Sequence, residues 1–133
     1  MSDDAESTGR PVVHFEISGQ HPEGLRSYFG ELFDWTFDTD SPVAPEVSEA
    51  RNYGFIEPAG AGGGIPGGIG GGSGYPSQVI FYVGVPDVEA ALRKAVSLGG
   101  TRVLGPAQNP SGKLVVGQFR DPEGNLVGVA GPA

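Results

Sequence analysis

The chain has 133 residues, 38% of them apolar, and a formal charge of −8. That is one domain's worth of chain, with enough apolar content for a core. The absence of cysteine excludes disulfides and thiolate chemistry, no run approaches the roughly 20 apolar residues of a membrane helix, and the unclustered basic residues argue against nucleic acid, whose binding rests on phosphate neutralisation.

Residues 1–10 are acidic and polar, the opposite of a signal peptide's basic start, and read as a disordered tail before a single domain at 11–133. Lack of cysteine fits a cytoplasmic location. Pro11 to Ile17 alternates, so Phe15 and Ile17 share one face of a strand while His14 and Glu16 share the other. Pro22 suits a first helical position, and Leu25, Tyr28, Phe29, Leu32 and Phe33 then form an apolar stripe. Gly24 and Gly30 weaken that helix by about 1 kcal/mol each relative to alanine. Asp34 to Asp38 predicts a second strand, Ser41 to Ala50 a surface loop, and Arg51 to Ile56 a third strand.

Gly60 to Gly74 is mostly glycine. Gly62 to Gly67 formally matches G-x-G-x-x-G, but Pro66 lies inside it and no amphipathic helix follows, so a dinucleotide site is rejected. A thin fourth strand around Ile65 to Ile69 and a linker at about 72–77 fit better. The missing side chains mark either close backbone approach or room for a ligand. Gln78 to Val85 is the strongest strand. Asp87 caps a second helix striped by Val88, Ala91, Leu92, Ala95 and Val96, and Gly99-Gly100 ends it. Thr101 to Leu104 is a strand and Gly105 to Gly112 a loop. Leu114 to Phe119 and Leu126 to Val129 form a hairpin through Asp121-Pro122-Glu123-Gly124-Asn125, which places Gln118 beside Gly128.

An offset of 66 residues carries His21 onto Asp87, Phe15 onto Phe81 and Ile17 onto Val83. The chain therefore reads as two copies of one strand-helix-three-strand unit, at about 11–71 and 78–131, with Phe15 and Phe81 each under a helix.

This order resembles the vicinal-oxygen-chelate superfamily, which holds glyoxalase I, bleomycin-resistance proteins and extradiol dioxygenases. The resemblance spans Val12 to Val129 and is carried by His14-Phe15-Glu16-Ile17, Leu32-Phe33-Asp34-Trp35, Tyr82 to Val88, Leu98-Gly99-Gly100 and the Asp121 to Asn125 turn. It implies an α+β fold: two βαβββ modules forming a curled, cup-shaped, eight-stranded mixed sheet. It also implies pairing into homodimers. In metal-using members a divalent ion sits in the cup, held from the first strand of each module and from late strands. Carried over, these positions read His14, Ile80 and Gly128, with only glycine, isoleucine and proline around Ile65 to Ile69. His14 is thus the only matching ligand position, and three converging ligands are the minimum for zinc or iron catalysis.

The expectation is a metal-independent protein, with no cofactor, that binds a small organic molecule in the cup. His14, Glu16, Tyr82, Gln118 and Leu126 would face the ligand, and the acidic charge would suit a cationic one. The alternative is a glyoxalase-type lyase or isomerase using Glu16 or His14 as base, with or without a divalent metal. A structural reading stands beside both: His14 and Glu16 satisfy each other.

Overall fold

A computed structural model of the chain describes residues 9–56 and 64–133. Most of the acidic tail, and the first two residues of the G-x-G-x-x-G match, therefore lie outside the described residues. The described elements are β1 (Val12–Gly19), α1 (Pro22–Phe33), β2 (Phe37–Asp38), β3 (Gly54–Ile56), β4 (Gly67–Gly71), β5 (Gln78–Gly84), α2 (Val88–Ser97), β6 (Thr101–Gln108), β7 (Leu114–Arg120) and β8 (Leu126–Pro132). They make one mixed sheet in the order β2-β3-β4-β1-β5-β8-β7-β6, not closed, with β2 and β6 at its edges.

The order is symmetric about the β1–β5 pair. β1 runs parallel to β4, β5 runs parallel to β8, and β1 and β5 meet antiparallel. Phe15 pairs directly with Phe81, the residue 66 positions on. The repeat is thus a physical pseudo-twofold between two βαβββ units, as the α+β reading predicts.

The helices cover one face unevenly. The Asp87 side chain accepts from Ala90 N–H, as an N-cap should, and Val88 and Leu92 of α2 bury against Val129 with Val115 and Phe119 around them. Because α2 lies over β6, β7 and β8, it leaves β5 bare. Phe81 stays 44% exposed, which corrects the expectation that it packs beneath a helix. Phe15 does pack, 5.6 Å from the Trp35 ring at the end of α1. The α1 stripe is only half used: Leu25 and Phe29 are partly covered, while Tyr28, Leu32 and Phe33 are exposed.

Two strands are shorter than sequence predicts, at Phe37–Asp38 and Gly54–Ile56, and β4 begins two residues later than expected. β6 runs on to Gln108, through residues expected in a loop, with an irregular register against β7. The hairpin register holds: Gln118 pairs with Gly128. Its turn is tied by the Asp121 carboxylate, which accepts from Glu123 N–H, Asn125 N–H and Asn125 Nδ2.

The largest correction is the β2–β3 loop. Expected on the surface, it lies across the face opposite the helices, with Ala44, Val47 and Ser48 buried. Ala44 and Val47 pack with Tyr53 and Ala107 into the core cluster of that face. Ser48 Oγ accepts from Gly71 N–H and donates to Gly71 O, Tyr75 Oη donates to Pro45 O, and Asn109 Nδ2 donates to Pro42 O. A buried loop needs such partners for its backbone polar groups.

Candidate ligand-binding site

Glu16 stands in β1 on the face away from the helices and is 3% exposed. Tyr53 Oη donates to its Oε1 at 3.1 Å, and Tyr82 Oη lies 3.3 Å from both carboxylate oxygens. Gln118 Nε2 donates to Tyr82 Oη at 3.0 Å, and His14 Nε2 lies 2.9 Å from Tyr53 Oη. A phenol has one proton. Tyr53 gives its proton to Glu16, so His14 donates through Nε2 and keeps its lone pair on Nδ1. Glu16 and Tyr82 are twins under the 66-residue offset, and the pseudo-twofold is what brings them face to face.

Glycine places both rings. Tyr53 lies over Gly68 and Gly70, Tyr82 lies over Gly128, and a Cβ at any of the three would overlap the ring. The glycine run thus makes room for the protein's own tyrosine. Burial pushes the Glu16 carboxyl up to about 7, with the Tyr53 and Tyr82 hydroxyls pulling the other way. Burial pulls His14 down to about 4, so it is neutral near pH 7. Burial first, and then the Glu16 charge, raise both tyrosines, which stay protonated donors.

Two cavities meet at this network. One, about 230 Å³, is lined by His14, Glu16, Tyr53, Phe55, Tyr82 and a largely apolar wall that includes Val116 and Ala130. The other, about 210 Å³, is lined by Glu16, Ser18, Gln78, Gln118 and Leu126, with Glu46 and Arg120 also present. Among the described residues only Glu16 and Val47 border both. A larger groove, about 560 Å³, runs along α2 on the opposite face, but no buried polar side chain converges on it. The two cavities with the buried network are therefore the candidate site.

Of the residues expected at the site, His14, Glu16 and Tyr82 converge on the first cavity, while Gln118 and Leu126 line the second. His14 and Glu16 do not satisfy each other directly, because Tyr53 stands between them. Tyr53 was not anticipated. Its signal lay in two facts together: Tyr53 and Phe55 alternate onto one face, and Gly68 and Gly70 leave a space that something must fill.

The residues do not fit the metal that the fold implies. Ile80 and Gly128 have no ligand atom, the Tyr82 ring fills the space beside Gly128, and His14 and Glu16 alone are two ligands where zinc or iron catalysis needs three. Among the described residues no three His, Cys, Asp or Glu side chains gather closely enough to hold an ion.

A model of the glyoxalase-like domain matches residues 14–130. The chain belongs to the glyoxalase-like domain family. No curated protein matches it. Its fold is similar to that of a Streptomyces coelicolor methylmalonyl-CoA epimerase variant in complex with 2-nitronate-propionyl-CoA, with TM-score 0.65, 12% identity and coverage of 95% of this chain and 96% of that one. It is also similar to a glyoxalase/bleomycin resistance protein/dioxygenase superfamily member from Vibrio splendidus, with TM-score 0.57, 15% identity and coverage of 92% and 99%. At these identities the glyoxalase-like chain shares the fold with both, and the site must be judged on its own residues.

Proposed function

We propose that this glyoxalase-like protein binds a small, largely apolar organic molecule in its cup without a metal ion. The supporting observation is the buried Glu16 carboxylate, held by two tyrosine hydroxyls where two cavities meet. Apolar walls around a few fixed polar groups are the usual build of a small-molecule site. A metal needs several pre-placed, deprotonated ligands acting together, and here Ile80 and Gly128 occupy two of the matched positions. Protein purified without an affinity tag should carry far less than one zinc, iron, manganese or nickel per chain, and His14→Ala should leave that content unchanged. Elemental analysis showing about one ion per chain, lost in His14→Ala, would overturn the reading.

A second reading is favoured by one observation: Glu16 is buried where both cavities meet, and burial pushes its carboxyl up to about 7, where a general base works best. In that reading the protein is a lyase or isomerase of the glyoxalase type, and Glu16 takes a proton from carbon. Incubation with methylmalonyl-CoA in D2O tests one such reaction. Deuterium incorporation that is lost in Glu16→Gln would favour catalysis; no incorporation would count against this reaction.

A further inference from the structure

The hydrogen bonds of the first cavity all run inward. Tyr53 and Tyr82 spend their only protons on Glu16, His14 spends its Nε2 proton on Tyr53, and Gln118 spends an Nε2 proton on Tyr82. Apart from the second N–H of Gln118, which lines the second cavity, what these groups leave uncommitted is lone pairs. His14 Nδ1 has no protein partner among the described residues, and no buried polar atom there lacks one, so Nδ1 opens onto cavity or solvent. The same reasoning opens Gln118 Oε1 onto the second cavity. At the rim, Asn109 gives Nδ2 to Pro42 O and accepts from Ser111 N–H with Oδ1. Among the described residues no lysine or arginine lines the first cavity.

We propose that the first cavity selects a ligand whose polar group is a hydrogen-bond donor, a hydroxyl or an amine on an apolar body, and disfavours anions and groups that only accept. A donor can meet the Glu16 carboxylate or His14 Nδ1. Beside Glu16 a carbonyl finds no free proton unless Glu16 itself is protonated, the second Asn109 Nδ2 proton lying at the rim, and an anion meets a carboxylate with no cation beside it. Leaving buried acceptors unmatched costs more than a missing contact, because the groups stay desolvated. At about 230 Å³ the cavity suits a small organic body rather than a drug-sized one. The proposal rests on the cup being a small-molecule site.

Donor binding should also favour the ionised carboxyl. The groups facing Glu16 are His14 on its own strand, Tyr53, Tyr82 on β5 and Gln118 on β7, with Glu46 and Arg120 in the second cavity. His14 is neutral above about pH 5 and both tyrosines are protonated, so within the buried network Glu16 is the group that titrates near pH 7.

Four probes of one shape test the proposal: benzyl alcohol and benzylamine as donors, benzaldehyde as acceptor only, and benzoate as anion. Each is titrated into the full chain and followed through the amide NMR signals of Glu16, Tyr53 and Tyr82. The two donors should bind, with affinity rising about tenfold between about pH 6 and pH 8, following the ionised fraction of a carboxyl that titrates near 7. At the upper pH benzaldehyde and benzoate should bind about tenfold more weakly than benzyl alcohol, the size of one unmatched hydrogen bond. In Glu16→Gln the donors' pH dependence should flatten. If that variant does not fold, the four-probe comparison on the native chain still decides. Benzaldehyde or benzoate binding as tightly as benzyl alcohol, or donor affinity falling as pH rises, would overturn donor selection while leaving the cup a ligand site. No response to any probe would overturn donor selection and count against the cup reading as well.

Discussion

Glu16 and His14 lie two residues apart on β1 and titrate in opposite senses. The Glu16 carboxyl binds its proton up to about 7 in the fold, against 4.5 as its ordinary value. The folded state therefore holds more protons than the unfolded one between those values, and stability falls as pH rises through them. His14 is the reverse: its folded value is about 4 against 6.5, so stability rises with pH across that window. At about 1.4 kcal/mol per pH unit each effect amounts to about 3 kcal/mol, and between 4.5 and 6.5 the two cancel. Urea unfolding of native protein should show little slope from this pair. Relative to native, Glu16→Gln should gain about 3 kcal/mol between pH 4.5 and 7, and His14→Asn should lose a similar amount between pH 4 and 6.5. Curves parallel to native would mean that neither group is perturbed. Glycine supplies a second test. Gly68→Ala would drive a Cβ into the Tyr53 ring and should cost about 1–3 kcal/mol. Gly24→Ala, in α1 with open space around it, should stabilise by about 0.5–1 kcal/mol in the same assay.

The β2–β3 loop is the element that turns an open sheet face into enclosed cavities. Val43, Ala44 and Val47 roof the first cavity, and Glu46 and Val47 border the second. Its anchor is Ser48, fully buried, whose Oγ bonds both the N–H and the carbonyl of Gly71 while Glu49 N–H donates to Gly71 O. Ser48→Ala removes one partner and leaves buried backbone groups short of a bond, at a cost of about 1–3 kcal/mol. Amide hydrogen exchange at Glu49 and Gly71 should accelerate by more than the global loss of stability explains, because the loop can open while the sheet stays folded. Exchange that changes only with global stability would show that Ser48 does not anchor the loop.

For the whole molecule, the uneven placement of the two helices leaves Val79 at 71% and Phe81 at 44% exposure on β5, with Tyr28, Leu32 and Phe33 exposed on α1. Apolar side chains grouped on one side of a small protein mark an interaction surface more often than chance. We propose that a second copy covers this side. Light scattering at micromolar concentration should return twice the 13.6 kDa chain mass, and Val79→Ser with Phe81→Ser should return the single mass. A monomer mass for the native chain would overturn the proposal.

The amino-acid order alone determined the two βαβββ modules, the face on which His14, Glu16 and Tyr82 stand, and the Gln118–Gly128 register, because alternation, turn residues and a 66-residue repeat are local or periodic signals. Read through the family resemblance, it left His14 as the only matched metal position carrying a ligand atom. Tertiary structure alone decided that Tyr53 stands between His14 and Glu16, that the cup is split into two cavities at Glu16, and that Ser41 to Ala50 is partly buried. The reason is physical. Tyr53 is 37 residues from Glu16 along the chain, and the space its ring fills is made by glycines on a third strand. The loop is buried because Ala44 and Val47 pack against Tyr53 and Ala107 while Gly71, Tyr75 and Asn109, distant in sequence, bond its serine hydroxyl and its carbonyls.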